Sequence, residues 1–140
     1  MKLRSHVIVS IIFSALFLVV FKSWIIFIYS FFCGALINCD HVLDYLWSYR
    51  KRFRAREFLN TSYCEKGYMC SVIFHSWEIL LPLNLYAFFV SGNSWIIGIT
   101  LGLTQHVILD QIFNNSSWSA YFFFMRLKNG FDREKIFKTD

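Results

Sequence analysis

Four apolar stretches dominate the pattern of the chain, at residues 7–21, 23–37, 71–90 and 94–112. The last two are long enough to cross the hydrocarbon core of a bilayer as helices. The first two have 15 residues each, which as helices reach about 22 Å against a core of about 30 Å. They therefore need a thinned bilayer or a re-entrant hairpin.

This pattern predicts one all-α domain over residues 1–140, a polytopic membrane bundle of four short transmembrane or re-entrant helices with interfacial helices on the cytoplasmic side. Lys22 separates the first two stretches. A single helix over residues 7–37 is the alternative, and it would bury Lys22 near its middle at a cost of about 3 kcal/mol. The hairpin is favoured, and the single helix stays open. Pro82 lies inside the third stretch and predicts a kink.

Composition supports the membrane assignment, because 56% apolar and 21% aromatic residues exceed the content of ordinary soluble proteins. The basic start of the chain resembles a signal peptide, but no small-x-small cleavage site follows, so we expect a retained segment. The four cysteines form no Cys-x-x-Cys pair, and no disulfide framework is predicted. The net charge of +5 lies in membrane-flanking loops, which argues against nucleic acid as a partner.

Charge also predicts orientation. Of the 14 Lys and Arg residues, all but Lys22 fall in the N-terminus, the loop at residues 44–70 or the tail at residues 113–140. The positive-inside rule puts this side, with both termini, in the cytoplasm, and we expect an integral protein of a bacterial inner membrane. The tail is aromatic at residues 118–124 and basic afterwards, which predicts an interfacial element that caps the bundle.

All four histidines and several carboxylates map to this basic side. They lie at the start of the first stretch, the end of the second, the start of the third and the end of the fourth. They are His6, then Asp40, His41 and Asp44, then His75 and Glu78, and finally His106 and Asp110. If residues 7–37 formed one helix, His6 alone would move away.

Spacing indicates the chemistry, because Asp40 and Asp44 are four residues apart, as are His106 and Asp110, and such pairs share a helix face. Helical bundles build metal sites from inward-facing histidines and carboxylates at these spacings. We predict one or two divalent metal ions, with Zn²⁺ as first choice and Mn²⁺ or Fe²⁺ as alternatives. For His6 and Glu78, an ordinary role as interface or hydrogen-bonded residues stays open.

Four short stretches, at residues 5–7, 34–41, 74–76 and 102–110, give the chain a resemblance to a known family. It resembles the membrane-bound, metal-dependent hydrolases of the YdjM-like, LexA-binding, inner-membrane-associated type, which are distantly similar to zinc-dependent phospholipase C. Two positions depart from the family pattern, where Asn38 replaces a carboxylate and Cys70 replaces a histidine. The resemblance implies a metal site more strongly than an activity.

A metal ion in such a site lowers the pKa of bound water towards about 7 and polarises a phosphoryl or acyl oxygen, and Glu78 or Asp44 is the predicted general base. A site at the headgroup level favours a phospholipid or another lipid phosphate as substrate. The basic run at residues 50–56 can hold anionic headgroups, although topology alone also explains it. The alternative is a non-enzymatic metal-stabilised membrane module or partner subunit, and a homo-oligomer stays open.

Overall fold

The computed structural model describes residues 3–36, 75–113, 118–132 and 136. These residues confirm the predicted all-α class, and no strand is present among them. The elements are α1 (Leu3–Phe21), α2 (Trp24–Leu36), α3 (Trp77–Leu85) continued by a π-helix (Tyr86–Ser91), α4 (Ser94–Phe113), a 3-10 turn (Trp118–Tyr121) and α5 (Phe123–Lys128).

The first two helices form a tight hairpin. The chain reverses at Lys22, whose φ of 50° lies in the left-handed region that non-glycine residues adopt at turns. Further along, Ser30 Oγ donates to Ser14 Oγ at 2.9 Å, and a Cβ added to Gly34 would lie 2.8 Å from Ser10 Oγ. These two pairs show that α1 and α2 run antiparallel. The predicted hairpin is therefore confirmed over the single helix.

Helix α4 packs against α2 through small residues. A Cβ added to Gly98 would lie 3.0 Å from the carbonyl oxygen of Ile26, and one added to Gly102 would lie 2.5 Å from that of Ser30. Two glycines four residues apart let helix backbones approach this closely, which is common between membrane helices. Because the contacts advance together along both helices, α2 and α4 run parallel.

Helix α3 lies against α4 by way of a short reversal. Pro82 is inside α3, where its ring removes one backbone donor, and the kink expected there stays a prediction. Asn84 Nδ2 donates to Leu80 O and to Thr104 Oγ1, both at 2.8 Å, which ties α3 to α4. The π-helix ends at Gly92, whose φ of 63° requires a residue that tolerates the left-handed conformation.

The helix interfaces bury polar as well as apolar side chains, while many large apolar side chains lie on the surface. The helix interfaces bury small or uncharged polar side chains, namely Ser10, Ser14, Ser30, Thr100 and Gln105. The outer faces of α1, α2 and the α3–π-helix segment expose large apolar side chains, such as Val19 and Phe89, the latter 82% exposed.

Only one described helix, Ser94–Phe113, meets the length and composition of a membrane span, with a mean hydropathy of 1.4. Three apolar helices are shorter, at His6–Phe21, Trp24–Ala35 and Trp77–Ser91. The described residues therefore support one candidate span by these criteria, and the predicted set of four is not established by length alone.

Candidate metal centre

Three of the predicted ligands meet at one end of the bundle. His6 lies in the first turns of α1, and His106 and Asp110 occupy successive turns near the end of α4. His6 Nε2 lies 3.1 Å from Asp110 Oδ1, and His106 Nε2 lies 3.2 Å from Asp110 Oδ2. One nitrogen or oxygen from each residue falls within 4.8 Å of the other two. This spacing suits ligands of a single metal ion.

All three side chains are buried, with exposed fractions of 2% for His6, 0% for His106 and 5% for Asp110. A carboxylate taken out of water at such a depth needs a compensating positive charge or strong donors. The two imidazoles can supply that charge by protonation, or they can share the carboxylate with a divalent cation. The three side chains fit both alternatives, imidazoles that carry protons and imidazoles that bind a metal ion.

The tautomer of His106 follows from its second hydrogen bond. His106 Nδ1 lies 2.8 Å from the carbonyl oxygen of Gly34, and because a carbonyl only accepts, Nδ1 carries the proton. Neutral His106 would then direct the lone pair of Nε2 at the Asp110 carboxylate, placing two acceptors face to face. A proton or a metal ion between them removes this conflict. Metal-binding histidines commonly have their other ring nitrogen fixed in this way.

The ring of His6 is stacked on the ring of His106, with centroids 4.2 Å apart and an angle of 17° between planes. Both Nε2 atoms thereby approach the same carboxylate. Two protonated imidazoles in such a stack would repel each other. A metal ion binds imidazole in its neutral form, so the stacked pair is compatible with two histidine ligands.

His75 lies next to this group but at a longer distance. Its Nε2 is 3.8 Å from Asp110 Oδ2, and its ring meets that of His106 edge-on with centroids 5.1 Å apart. His75 precedes α3, so three separate parts of the chain converge here.

Glu78, the predicted general base, has another position. Its two carboxylate oxygens accept hydrogen bonds from the backbone N–H groups of Phe123 at 2.9 Å and Phe124 at 3.2 Å. An acidic side chain at a helix N-terminus satisfies donors that the helix leaves open. Glu78 thus joins α3 to α5, and the predicted base role would require it to leave both donors. The other predicted site residues, Asp40, His41 and Asp44, lie outside the described residues, as do Asn38 and Cys70.

Sequence reasoning missed residues that position the ligands. Gln105 Nε2 donates to Ser10 Oγ at 3.0 Å, one helical turn from His6, and Gly34 supplies the carbonyl for His106. The sequence did contain a signal for this packing. Small or polar residues recur every four positions along α1 and along α4, and the same spacing leads to His6 on α1 and to His106 and Asp110 on α4. Arg126, which is buried against the segment before α3, carried no such signal.

Comparison with known proteins adds no relative, because no family model, curated protein or solved structure matches the chain. The resemblance to the YdjM-like hydrolases stays a prediction from four short stretches. The geometry itself supports a coarser statement, that the buried group of His6, His106 and Asp110 can hold a metal ion. Two imidazole nitrogens and one carboxylate would occupy three positions of a four-coordinate ion, and water or substrate could take the fourth.

Proposed function

We propose that the chain is a membrane-embedded, metal-dependent hydrolase that acts on a phospholipid or another lipid phosphate at the cytoplasmic face. The single observation that carries the proposal is the buried group of His6, His106 and Asp110 at one end of an apolar bundle. Soluble proteins seldom surround such a group with helices that bury serines and expose isoleucine and phenylalanine.

The membrane part of the proposal rests on the outer surface of the bundle. Exposed apolar side chains cover α1, α2 and the α3–π-helix segment, and lipid is the environment that suits them. Helix α2 has 13 residues and reaches about 20 Å, so the bilayer would be thinned beside it. Lys22, in the turn between α1 and α2, is at the opposite end from the histidines. The topology predicted from the sequence assigns the other basic residues to the histidine side, and on that assignment the positive-inside rule favours cytoplasmic termini in a bacterial inner membrane.

The metal part of the proposal assigns Nε2 of His6, Nε2 of His106 and a carboxylate oxygen of Asp110 as ligands. His75, which the sequence also predicts as a ligand, has its Nε2 3.8 Å from Asp110 Oδ2 and lies beside these three ligands, so a position for water stays open. Zn²⁺ suits this donor set best, and Mn²⁺ or Fe²⁺ are alternatives. When bound, such an ion supplies an activated water and polarises a phosphoryl oxygen. The Gly34 carbonyl holds the proton of His106 at Nδ1, which keeps Nε2 available as a ligand.

A second function has one observation in its favour, namely the burial of the centre. Exposed fractions of 0% to 5% for the three proposed ligands leave a substrate little surface to approach. That favours a metal-stabilised membrane module, in which the ion links α1 to α4 and catalyses nothing. Such a module would still bind metal and would lose stability on chelation.

Activity measurements on metal-loaded protein separate the two functions. The full chain, purified in detergent, would be assayed on a panel of lipid phosphates and phospholipids beside His106→Ala, Asp110→Ala and the control Lys22→Gln. The hydrolase predicts turnover that both site variants lose and the control keeps. Bound metal without turnover supports the module instead. Turnover that survives in both site variants would contradict the proposed centre.

A further inference from the structure

The C-terminal segment returns to the end of the bundle that holds the histidines. Ala120 and Tyr121 pack with Leu80 of α3 and Val107 of α4 in one buried cluster. The Glu78 carboxylate accepts hydrogen bonds from the backbone N–H groups at the start of α5. The segment is therefore attached to the first turn of α3 by both apolar and polar contacts.

Arg126 extends this attachment to the residues just before α3. Its side chain is buried, with an exposed fraction of 1%. Arg126 Nη2 donates to the carbonyl oxygen of His75 at 3.2 Å and also to Ser76 Oγ. Ser76 occupies the position before α3, yet its side chain makes no capping hydrogen bond to that helix. The Ser76 hydroxyl instead accepts a hydrogen bond from Arg126.

His75 is consequently held at two points. Arg126 binds its backbone carbonyl, and its imidazole lies beside Asp110 and edge-on to His106. His75 itself is outside α3, so the hydrogen-bond ladder of the helix does not fix its backbone. The contacts from Arg126 supply a constraint at this position.

We propose that Arg126 is a positioning residue of the metal centre, holding the His75–Ser76 backbone so that the imidazole of His75 stays beside Asp110. This inference rests on the proposed metal centre. On this proposal, metal binding depends on the packing of α5 against the segment before α3, because Arg126 of α5 determines the position of His75. A planar guanidinium with several donors suits two neighbouring acceptors better than an ammonium does.

A double-mutant cycle on the full chain in detergent tests the inference, with the Zn²⁺ dissociation constant measured by competition against a chelator. Arg126→Met and His75→Ala should each weaken Zn²⁺ binding by about 10- to 100-fold, the range seen for residues that orient metal ligands. If Arg126 acts through His75, the double variant should bind no more weakly than His75→Ala alone. Arg126→Lys should restore part of the affinity.

Two further variants guard against a loss of fold. Lys128→Met changes an exposed residue of the same short helix and should leave the Zn²⁺ affinity unchanged. Ser76→Ala removes one of the two acceptors that Arg126 contacts and alters no charge. Losses that add up in the double variant would overturn the role of Arg126 while leaving the centre intact. Wild-type protein that binds no Zn²⁺, Mn²⁺ or Fe²⁺ would instead contradict the proposed centre itself.

Discussion

The Nδ1 atom of His106 lies 2.8 Å from the backbone carbonyl of Gly34 and donates its proton there. The bond joins α4 to α2 and turns the remaining ring nitrogen towards Asp110. It depends on a close approach of the two helices, because a Cβ added to Gly102 of α4 would lie 3.0 Å from the backbone nitrogen of Gly34 in α2. Small residues at the helix interface thus determine the orientation of a proposed metal ligand.

Gly102→Ala should destabilise the bundle by about 1–3 kcal/mol, the usual cost of overpacking. The added Cβ would meet the carbonyl oxygen of Ser30 at 2.5 Å, and backbone cannot move aside as a side-chain tip can. Unfolding in mixed detergent measures the change. Ile108→Ala, an outward-facing change on the same helix, is the control and should cost clearly less. Equal losses would contradict the close packing of α2 and α4.

Chelation should destabilise the wild-type protein. A ligand that binds only the folded state at about 100 times its dissociation constant contributes about 2.7 kcal/mol, so EDTA should lower the thermal midpoint of zinc-loaded protein. His6→Ala should start from a lower midpoint and respond weakly to EDTA, since one of its three proposed ligands is gone. A response to EDTA as large in His6→Ala as in wild type would count against His6 as a ligand.

Glu78→Gln should loosen the C-terminal segment while metal stays bound. The neutral amide retains one accepting oxygen of the two that meet Phe123 and Phe124, and a lost cap costs about 0.5–2 kcal/mol. Hydrogen exchange across residues 118–132 should rise relative to wild type. If exchange is unchanged but turnover disappears, Glu78 acts as the general base and its capping contacts contribute little.

Topology can be tested by labelling in intact cells. In a cysteine-free background, Lys22→Cys should react with a membrane-impermeant maleimide from outside the cell, because Lys22 lies in the turn far from the histidines. Lys128→Cys should react only after permeabilisation, since α5 packs on the histidine end. The reverse pattern would place the centre at the outer face and would contradict the orientation inferred from charge.

Helix direction made the meeting of the described histidines with Asp110 predictable from the sequence. Once Lys22 separates α1 from α2, the alternation of helices brings His6, His75 and the His106–Asp110 pair to one end, whatever the packing details. The distances among the three ligands depend on side-chain packing, which periodicity does not specify. Predicted contributions from Asp40, His41 and Asp44 fall outside the described residues.

Glu78 and Arg126 show where sequence reasoning stops. The acidic residue follows His75 at helical spacing and therefore resembles a member of the site, yet its carboxylate binds the start of α5. Arg126 resembles one of several interfacial cations in a basic tail, yet it is buried against His75 and Ser76. Both roles arise from the return of the C-terminal segment to α3, a tertiary contact that no local pattern encodes.

The most direct test of the metal centre is the metal content of detergent-purified protein after dialysis against buffered Zn²⁺, measured by inductively coupled plasma mass spectrometry. Wild type and the control Lys22→Gln should retain a stoichiometric amount of zinc, and His106→Ala should retain almost none. Wild-type protein without zinc, or equal zinc in all three proteins, would contradict a zinc centre built on His6, His106 and Asp110.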